Sequence, residues 1–232
     1  MAGRLCGLGL GPGDPELVTL KALRLLRAAA VVAYPAPVGG ASFARGIVAG
    51  WIAPSQREIR IEFPMQPGPP PRDIYDAAAA HLATELDGGS DVVFLCQGDP
   101  LFYGSFAPIL ARLGPRYAVT IVPGVSSLTA CAAMAGFGLV QRDETVTVIA
   151  ATLDEAELGR RLVAADTAVV IKIGRHFAKL RHVLAGLGML DGAVYVERAT
   201  LPEQRVAPLA GVDPDTVPYF ATALVRRGGF AR

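Results

Sequence analysis

Histidine and cysteine are both scarce, with three of each in a chain of 232 residues. The cysteines, Cys6, Cys96 and Cys131, lie far apart, and no CxxC pair or Cys/His spacing of a zinc site occurs. No metal is therefore expected. None of the histidines stands in a triad or metal motif, so none receives a catalytic role. An odd number of thiols in apolar stretches suits a reducing compartment, and a cytoplasmic location is expected. Neither sign of charge is in excess: 22 Lys and Arg stand against 21 Asp and Glu. No general attraction draws such a chain to nucleic acid or to an anionic membrane, so anion recognition has to be local. Long apolar runs are missing too, and no stretch reaches the roughly eighteen residues free of charge and helix breakers that a membrane span needs. After Met1-Ala2-Gly3-Arg4 the apolar stretch is short and broken by glycine, unlike a secretory leader.

Apolar residues, by contrast, make up 52% of the chain, enough for a large core, and 26 glycines with 18 prolines supply many tight connections. That combination suits strands alternating with helices. The stretch that organises the rest is 91–105. Val92 to Cys96 is a continuous apolar run, β-branched at its start, as expected of a strand buried on both faces. It stops at Gly98-Asp99-Pro100, a turn cluster, and Phe106 to Leu113 then reads as a helix. This arrangement puts a carboxylate and free N–H groups at the carboxyl end of a buried strand, where open α/β sheets bind ligands. A capping aspartate in an ordinary βα loop accounts for the same residue without any ligand.

Further strands and helices are expected on either side, without an internal repeat. Leu5 to Leu10 reads as a strand that runs into Gly11-Pro12-Gly13-Asp14-Pro15-Glu16, with Asp14 as N-cap of a helix reaching about Ala30. The glycines do not keep dinucleotide spacing: counted from Gly9 the third position holds Asp14, and counted from Gly7 it holds Pro12. Val31 to Tyr34 and Glu58 to Phe63 read as strands, Ser42 to Ala49 and Ile74 to Leu86 as helices, and Met65 to Pro71 as a semi-rigid loop. Tyr117 to Val122 is a further strand, closed by Pro123-Gly124, and Val125-Ser126-Ser127 opens a helix through Met134 whose N-terminus suits a polar ligand or simple capping. Later strands are expected at Thr145–Ala150, Ala168–Ile173, Val194–Arg198 and Tyr219–Val225, with helices at Leu153–Ala164 and Arg175–Leu187. The expected fold is α/β with two αβα domains, 1–115 carrying a largely parallel sheet and 116–232 a mixed one. Lys172, Arg175, His176, Lys179, Arg181 and His182 form a basic cluster, read either as a solvated face or as the docking site of an anionic substrate.

Four segments taken together carry a resemblance: Gly9-Leu10-Gly11-Pro12-Gly13-Asp14-Pro15-Glu16-Leu17; Gly98-Asp99-Pro100 with Phe102-Tyr103-Gly104-Ser105; Val122-Pro123-Gly124-Val125-Ser126-Ser127; and Val196-Glu197-Arg198-Ala199-Thr200-Leu201-Pro202-Glu203-Gln204-Arg205. In this order the chain resembles the tetrapyrrole (corrin/porphyrin) methyltransferases of cobalamin and sirohaem synthesis. Phe-Tyr-Gly-Ser and the closing Pro218-Tyr219-Phe220-Ala221-Thr222 look most like the branch that methylates C20 of precorrin-2. The resemblance implies a homodimer, a ligand cleft between the two domains, and S-adenosylmethionine (SAM) as methyl donor. It assigns cofactor contact to Pro12, Gly98, Asp99, Phe102, Ser126, Ser127, Ile173, Ala199 and Thr222. The first loop, with Gly11, Gly13 and Asp14, is then turned to the tetrapyrrole. Arg198, Arg175, Lys172 and Arg142 are the cations available for ring carboxylates, with Arg198 preferred. One departure is Gln97, where the resemblance leads to Glu. Within the same family the cobalt-loaded substrate and uroporphyrinogen III are the alternatives. A nucleotide-binding oxidoreductase is disfavoured by the failed glycine spacing, and a non-enzymatic binding domain by the clustered special loops.

Overall fold

The computed structural model describes residues 1–64 and 72–230, and the expected loop at Met65–Pro71 lies outside the described residues. The chain divides into two compact units, Met1–Ser126 and Ser127–Arg232.

The first unit is a five-stranded sheet in the order β3-β2-β4-β1-β5, with β1 Leu5–Gly9, β2 Val31–Pro37, β3 Arg57–Phe63, β4 Val92–Cys96 and β5 Val119–Val122. Every pairing is parallel. All five residues of β1 and of β4 are buried, because helices cover both faces and leave no polar side to the central strands. Alternate residues feed two clusters. Leu5, Val92, Phe94 and Cys96 pack against α3 (Arg72–Asp87) and α4 (Phe106–Leu113). Cys6, Leu8, Val93 and Leu95 pack against α1 (Leu20–Ala28) and α2 (Phe43–Ile47). Each such apolar side chain, fully buried, contributes about 1.5–3 kcal/mol.

The expected boundary at 115/116 falls short of the observed division. β5 follows that boundary, yet it pairs with β1, Leu5 opposite Val119 through Leu8 opposite Val122, and so belongs to the first sheet. The helix expected from Asp14 to Ala30 is also interrupted. Asp14 caps only a short 3-10 turn, Pro15–Leu17, with Glu16 N–H donating to Asp14 Oδ1 at 2.8 Å. Val18 and Thr19 are extended, and Thr19 recaps the chain, accepting from Ala22 N–H at 3.1 Å, before α1 begins.

The second unit is a mixed sheet in the order β6-β7-β10-β8-β9, with β6 Val146–Ala150, β7 Thr167–Ile171, β8 Val194–Glu197, β9 Arg205–Pro208 and β10 Ala221–Arg226. β6 and β7 are parallel, and the remaining pairings are antiparallel. α6 (Glu155–Ala164) and α7 (Phe177–Gly186) cover one face. α5 (Ser127–Ala135) packs on the other, with Cys131 against Val169, Val196 and Leu224. No described helix is long and apolar enough to cross a membrane.

Candidate functional site

In the first unit the connections from β1 and from β4 leave in opposite directions: β1 leads across the sheet to β2, and β4 leads past β1 to β5. The helices they feed lie on opposite faces. Between β4 and β1 is therefore a topological switch point, the place where an open α/β sheet leaves a crevice beyond its strand ends.

The loops at that point are fastened to one another. Gly98 N–H donates to Gly11 O at 2.7 Å and Gly11 N–H returns to Gly98 O at 3.3 Å, joining the exit loops of β4 and β1. Asp99 joins a third. Its Oδ1 accepts from Leu101 N–H at 2.9 Å, and its Oδ2 accepts from Gly124 N–H at 3.1 Å, beyond the end of β5. Gly98 has φ +66, a conformation that costs glycine nothing, and a Cβ there would meet nothing within 4 Å. Gly124 is glycine for the opposite reason: its Cβ would stand 2.1 Å from Gly98 O. The result is open backbone at the end of β4, beside a carboxylate fixed by two N–H donors. Phe102 is exposed three residues further on.

Pro12, Gly98, Asp99, Phe102 and Ser126 thus stand on loops leaving three adjacent strands of the first unit. Gly11 and Gly13 are buried within the first of these loops, and Asp14 caps the turn that follows it. In the second unit Thr222 and Ala199 lie on the face that α5 covers, with Thr222 beside Cys131, and Ser127 begins the helix. Ile173 is separated from them: its side chain is fully buried in the cluster under α6 and α7 on the other face.

The cations sort in the same way. Lys172 and Arg198 follow the last residues of β7 and β8, the two strands that flank β10, and Arg198 N–H donates to Phe220 O at 2.9 Å. Both are exposed and both have left-handed backbones, φ +58 and +47. Such values are unusual for residues with a Cβ and gather where the surroundings over-determine them. Arg175 follows Lys172 on the same strand exit and donates to His176 Nε2 at 3.3 Å. Burial, and then Lys179 and Arg175, push the His176 pKa down. Arg142 stands apart, ahead of the amino end of β6. Of the remaining basic residues, Lys179 is turned to Leu153 O, and Arg181 donates to Val212 O at 3.4 Å, so both serve the packing of the second unit.

Sequence reasoning missed the pair of Tyr195 and Glu197. Both are buried, and the Tyr195 hydroxyl donates to Glu197 Oε2. The Arg205 guanidinium lies 5.9 Å from the centre of the Tyr195 ring. Burial first, then the neighbouring carboxylate, raises the Tyr195 pKa. The alternation of Tyr195 and Glu197 along β8 was the available signal, since residues two apart share a face. All three thiols are buried, and burial pushes their pKa values up, to about 11 for Cys131. None supplies a thiolate near neutral pH. Among the described residues no group of three His, Cys, Asp or Glu could hold a metal ion.

The family model for tetrapyrrole (corrin/porphyrin) methylases matches residues 4–212. The cobalamin biosynthesis protein CobIJ of Mycobacterium tuberculosis is 44% identical over 97% of the chain, which spans 46% of that protein's length. Precorrin-2 C(20)-methyltransferase from Sinorhizobium sp is 41% identical, with 96% of the chain and 95% of the relative covered. A crystal structure of uroporphyrin-III C-methyltransferase from Thermus thermophilus complexed with S-adenosylhomocysteine (SAH) superposes with a TM-score of 0.70 at 26% identity, covering 97% of each chain. Strand-end loops fastened at a switch point, the four segments in order and a match over most of its length make the chain a member of the tetrapyrrole (corrin/porphyrin) methylase family.

Proposed function

We propose that this protein transfers a methyl group from SAM to C20 of precorrin-2, giving precorrin-3A and SAH. The observation that carries the reading is the fastened switch point, Gly98 and Asp99 against Gly11 and Gly124, in a chain 41% identical over nearly its whole length to a precorrin-2 C(20)-methyltransferase. The residues present suit the donor: open backbone at Gly98, an exposed aromatic at Phe102, and loops held at fixed spacing by Asp99. Pro12, Gly98, Asp99, Phe102 and Ser126 of the first unit are the proposed contacts. Ser127, Ile173, Ala199 and Thr222 are carried over from the motif resemblance, Ile173 through its backbone, since its side chain is in the core.

SAM brings a methyl group already activated on a sulfonium, so the chain's task is placement rather than activation. Asp99 contributes by shaping its own turn and tying the exit loop of β4 to that of β5. Arg198 and Lys172 are proposed to hold the ring carboxylates, Arg198 by a two-pronged grip that an ammonium cannot reproduce. The decisive experiment is mass spectrometry and NMR of precorrin-2 incubated with the protein and SAM. One added methyl at C20 is expected; no transfer, or transfer to another carbon, refutes the assignment. Running cobalt-precorrin-2 and uroporphyrinogen III alongside identifies the preferred substrate.

Arg198 gives a sharper expectation. Replacing it with Lys keeps the positive charge and the left-handed backbone, so the change isolates the head group. Loss of one charge-assisted hydrogen bond, about 1.5–3 kcal/mol, should raise the tetrapyrrole KM by ten-fold or more. SAH affinity should stay near wild type. Arg198 is no substrate clamp if both constants are unmoved, or if only SAH binding suffers.

Assembly is proposed as a homodimer, supported by the motif resemblance alone. An interface above about 1,000 Å² is expected, stable at micromolar concentration. Light scattering that finds only monomer there refutes it.

A further inference from the structure

Immediately after Asp99-Pro100 the chain exposes three apolar side chains in succession, Leu101, Phe102 and Tyr103, at 51%, 36% and 56%. Single exposed apolar residues are ordinary, but three in a row on a strand-end loop are not. The loop is anchored at both ends. Asp99 holds Leu101 N–H on one side, and on the other the chain enters α4 at Phe106, whose side chain is fully buried. Between these anchors Tyr103 has φ +56. Glycine or asparagine enters that region readily, whereas a bulky aromatic there is an outlier of the kind that collects at ligand-binding sites. The Tyr103 and Phe102 rings are 5.1 Å apart and stand edge to face at 89°.

That angle separates the roles of the two rings. A planar ligand cannot lie flat against both when their planes are perpendicular. Two ligands with flat apolar parts meet at this site under the proposed function, the adenosyl donor and the tetrapyrrole. Phe102 is already the proposed cofactor contact. We infer that Tyr103 is the specificity-determining residue that meets the tetrapyrrole, its ring fixing how the macrocycle is seated and so which meso carbon is presented for methylation. The inference rests on the function proposed above. The left-handed backbone aims the ring, and the anchors at Asp99 and Phe106 keep it there.

Tyr103→Gly tests this well because glycine relieves the backbone. Thermal stability should be equal to or higher than wild type, and SAH affinity should be unchanged. The precorrin-2 KM should rise about ten-fold, the scale of one lost aromatic contact in a binding site, and NMR should detect methylation at carbons other than C20. Tyr103→Phe keeps the ring and should stay within about two-fold of wild type. A Tyr103→Gly protein with unaltered KM and product overturns the inference while leaving the proposed function intact. So does a fall in SAH affinity that matches the rise in KM, which would make Tyr103 a loop-shaping residue. A wild-type protein that methylates no reduced tetrapyrrole overturns the proposed function, and the inference with it.

Discussion

Gly124→Ala should lower the melting temperature by roughly 10 °C and reduce SAH affinity by at least ten-fold, the response of a chain of this size to about 3 kcal/mol of overpacking. The added Cβ would lie 2.1 Å from Gly98 O and 2.8 Å from Gly9 Cα, and every one of those atoms is backbone. No side chain can rotate away, so one loop has to move. Movement of the β5 exit loop breaks the Gly124 N–H to Asp99 bond, and movement of the β4 exit loop breaks the Gly11–Gly98 pair. Either way the open backbone at Gly98 is displaced. Gly46→Ala is the matched control: it lies in α2, where an added Cβ meets nothing within 4 Å. That variant should be up to about 1 kcal/mol more stable, since alanine is the better helix former. A Gly124→Ala protein that melts and binds SAH like wild type would show that the close approach of these loops does not matter.

The contact between Gly9, Gly98 and Gly124 also marks what sequence reading could and could not reach. Gly98 and Gly124 were legible as parts of strand-to-helix loops, and Gly9 as the end of the strand that feeds one, because apolar runs end there and turn residues follow. That the three loops touch was not legible, since residues 9, 98 and 124 meet only through the strand order β4-β1-β5. The domain boundary failed for the same reason. Nothing local in Val119–Val122 says that its partner is β1, more than a hundred residues earlier. Elements whose local signals are strong came out well: β4 and α4 have the expected limits, fixed by a β-branched run, a Gly-Asp-Pro turn and an apolar helix face. β9 was missed because Arg205–Pro208 is mostly exposed and ends in proline, and it is a strand only by pairing with β8 at the sheet edge. β2 runs on through Pro35 and Pro37, past the expected end at Tyr34. Its partner β4 stops matching it at Ala33, so the missing N–H groups leave no demand there unmet. The left-handed backbones of Tyr103, Lys172 and Arg198 left no trace in composition, because each is imposed by its surroundings against the residue's own preference.

Asp99→Ala should weaken SAH binding by ten- to a hundred-fold, with the fold retained. The side chain does two jobs, one per oxygen. Oδ1 holds Leu101 N–H at 2.9 Å and shapes the turn out of β4, while Oδ2 holds Gly124 N–H at 3.1 Å and spans the gap to the β5 exit loop. Hydrogen bonds to a charged group contribute about 1.5–3 kcal/mol, and one such loss is about ten- to a hundred-fold in affinity. The sequence reading allowed Asp99 to act either as a cap or as a ligand contact. The geometry makes it first a fastener, and each carboxylate oxygen keeps a second lone pair for a bound donor group. Asp99→Asn separates these contributions. An amide has one accepting oxygen and turns an NH2 toward the other backbone N–H, so one of the two fastenings is lost. The expected order of SAH affinity is therefore wild type, then Asp99→Asn, then Asp99→Ala, measured by calorimetry, with a melting temperature that falls in the same order by a few degrees, about 2–4 °C for each kcal/mol lost. An asparagine variant as weak as the alanine one would assign the effect to the charge itself, and so to a contact with the donor. An alanine variant that binds SAH as tightly as wild type would leave Asp99 a turn-forming residue and nothing more.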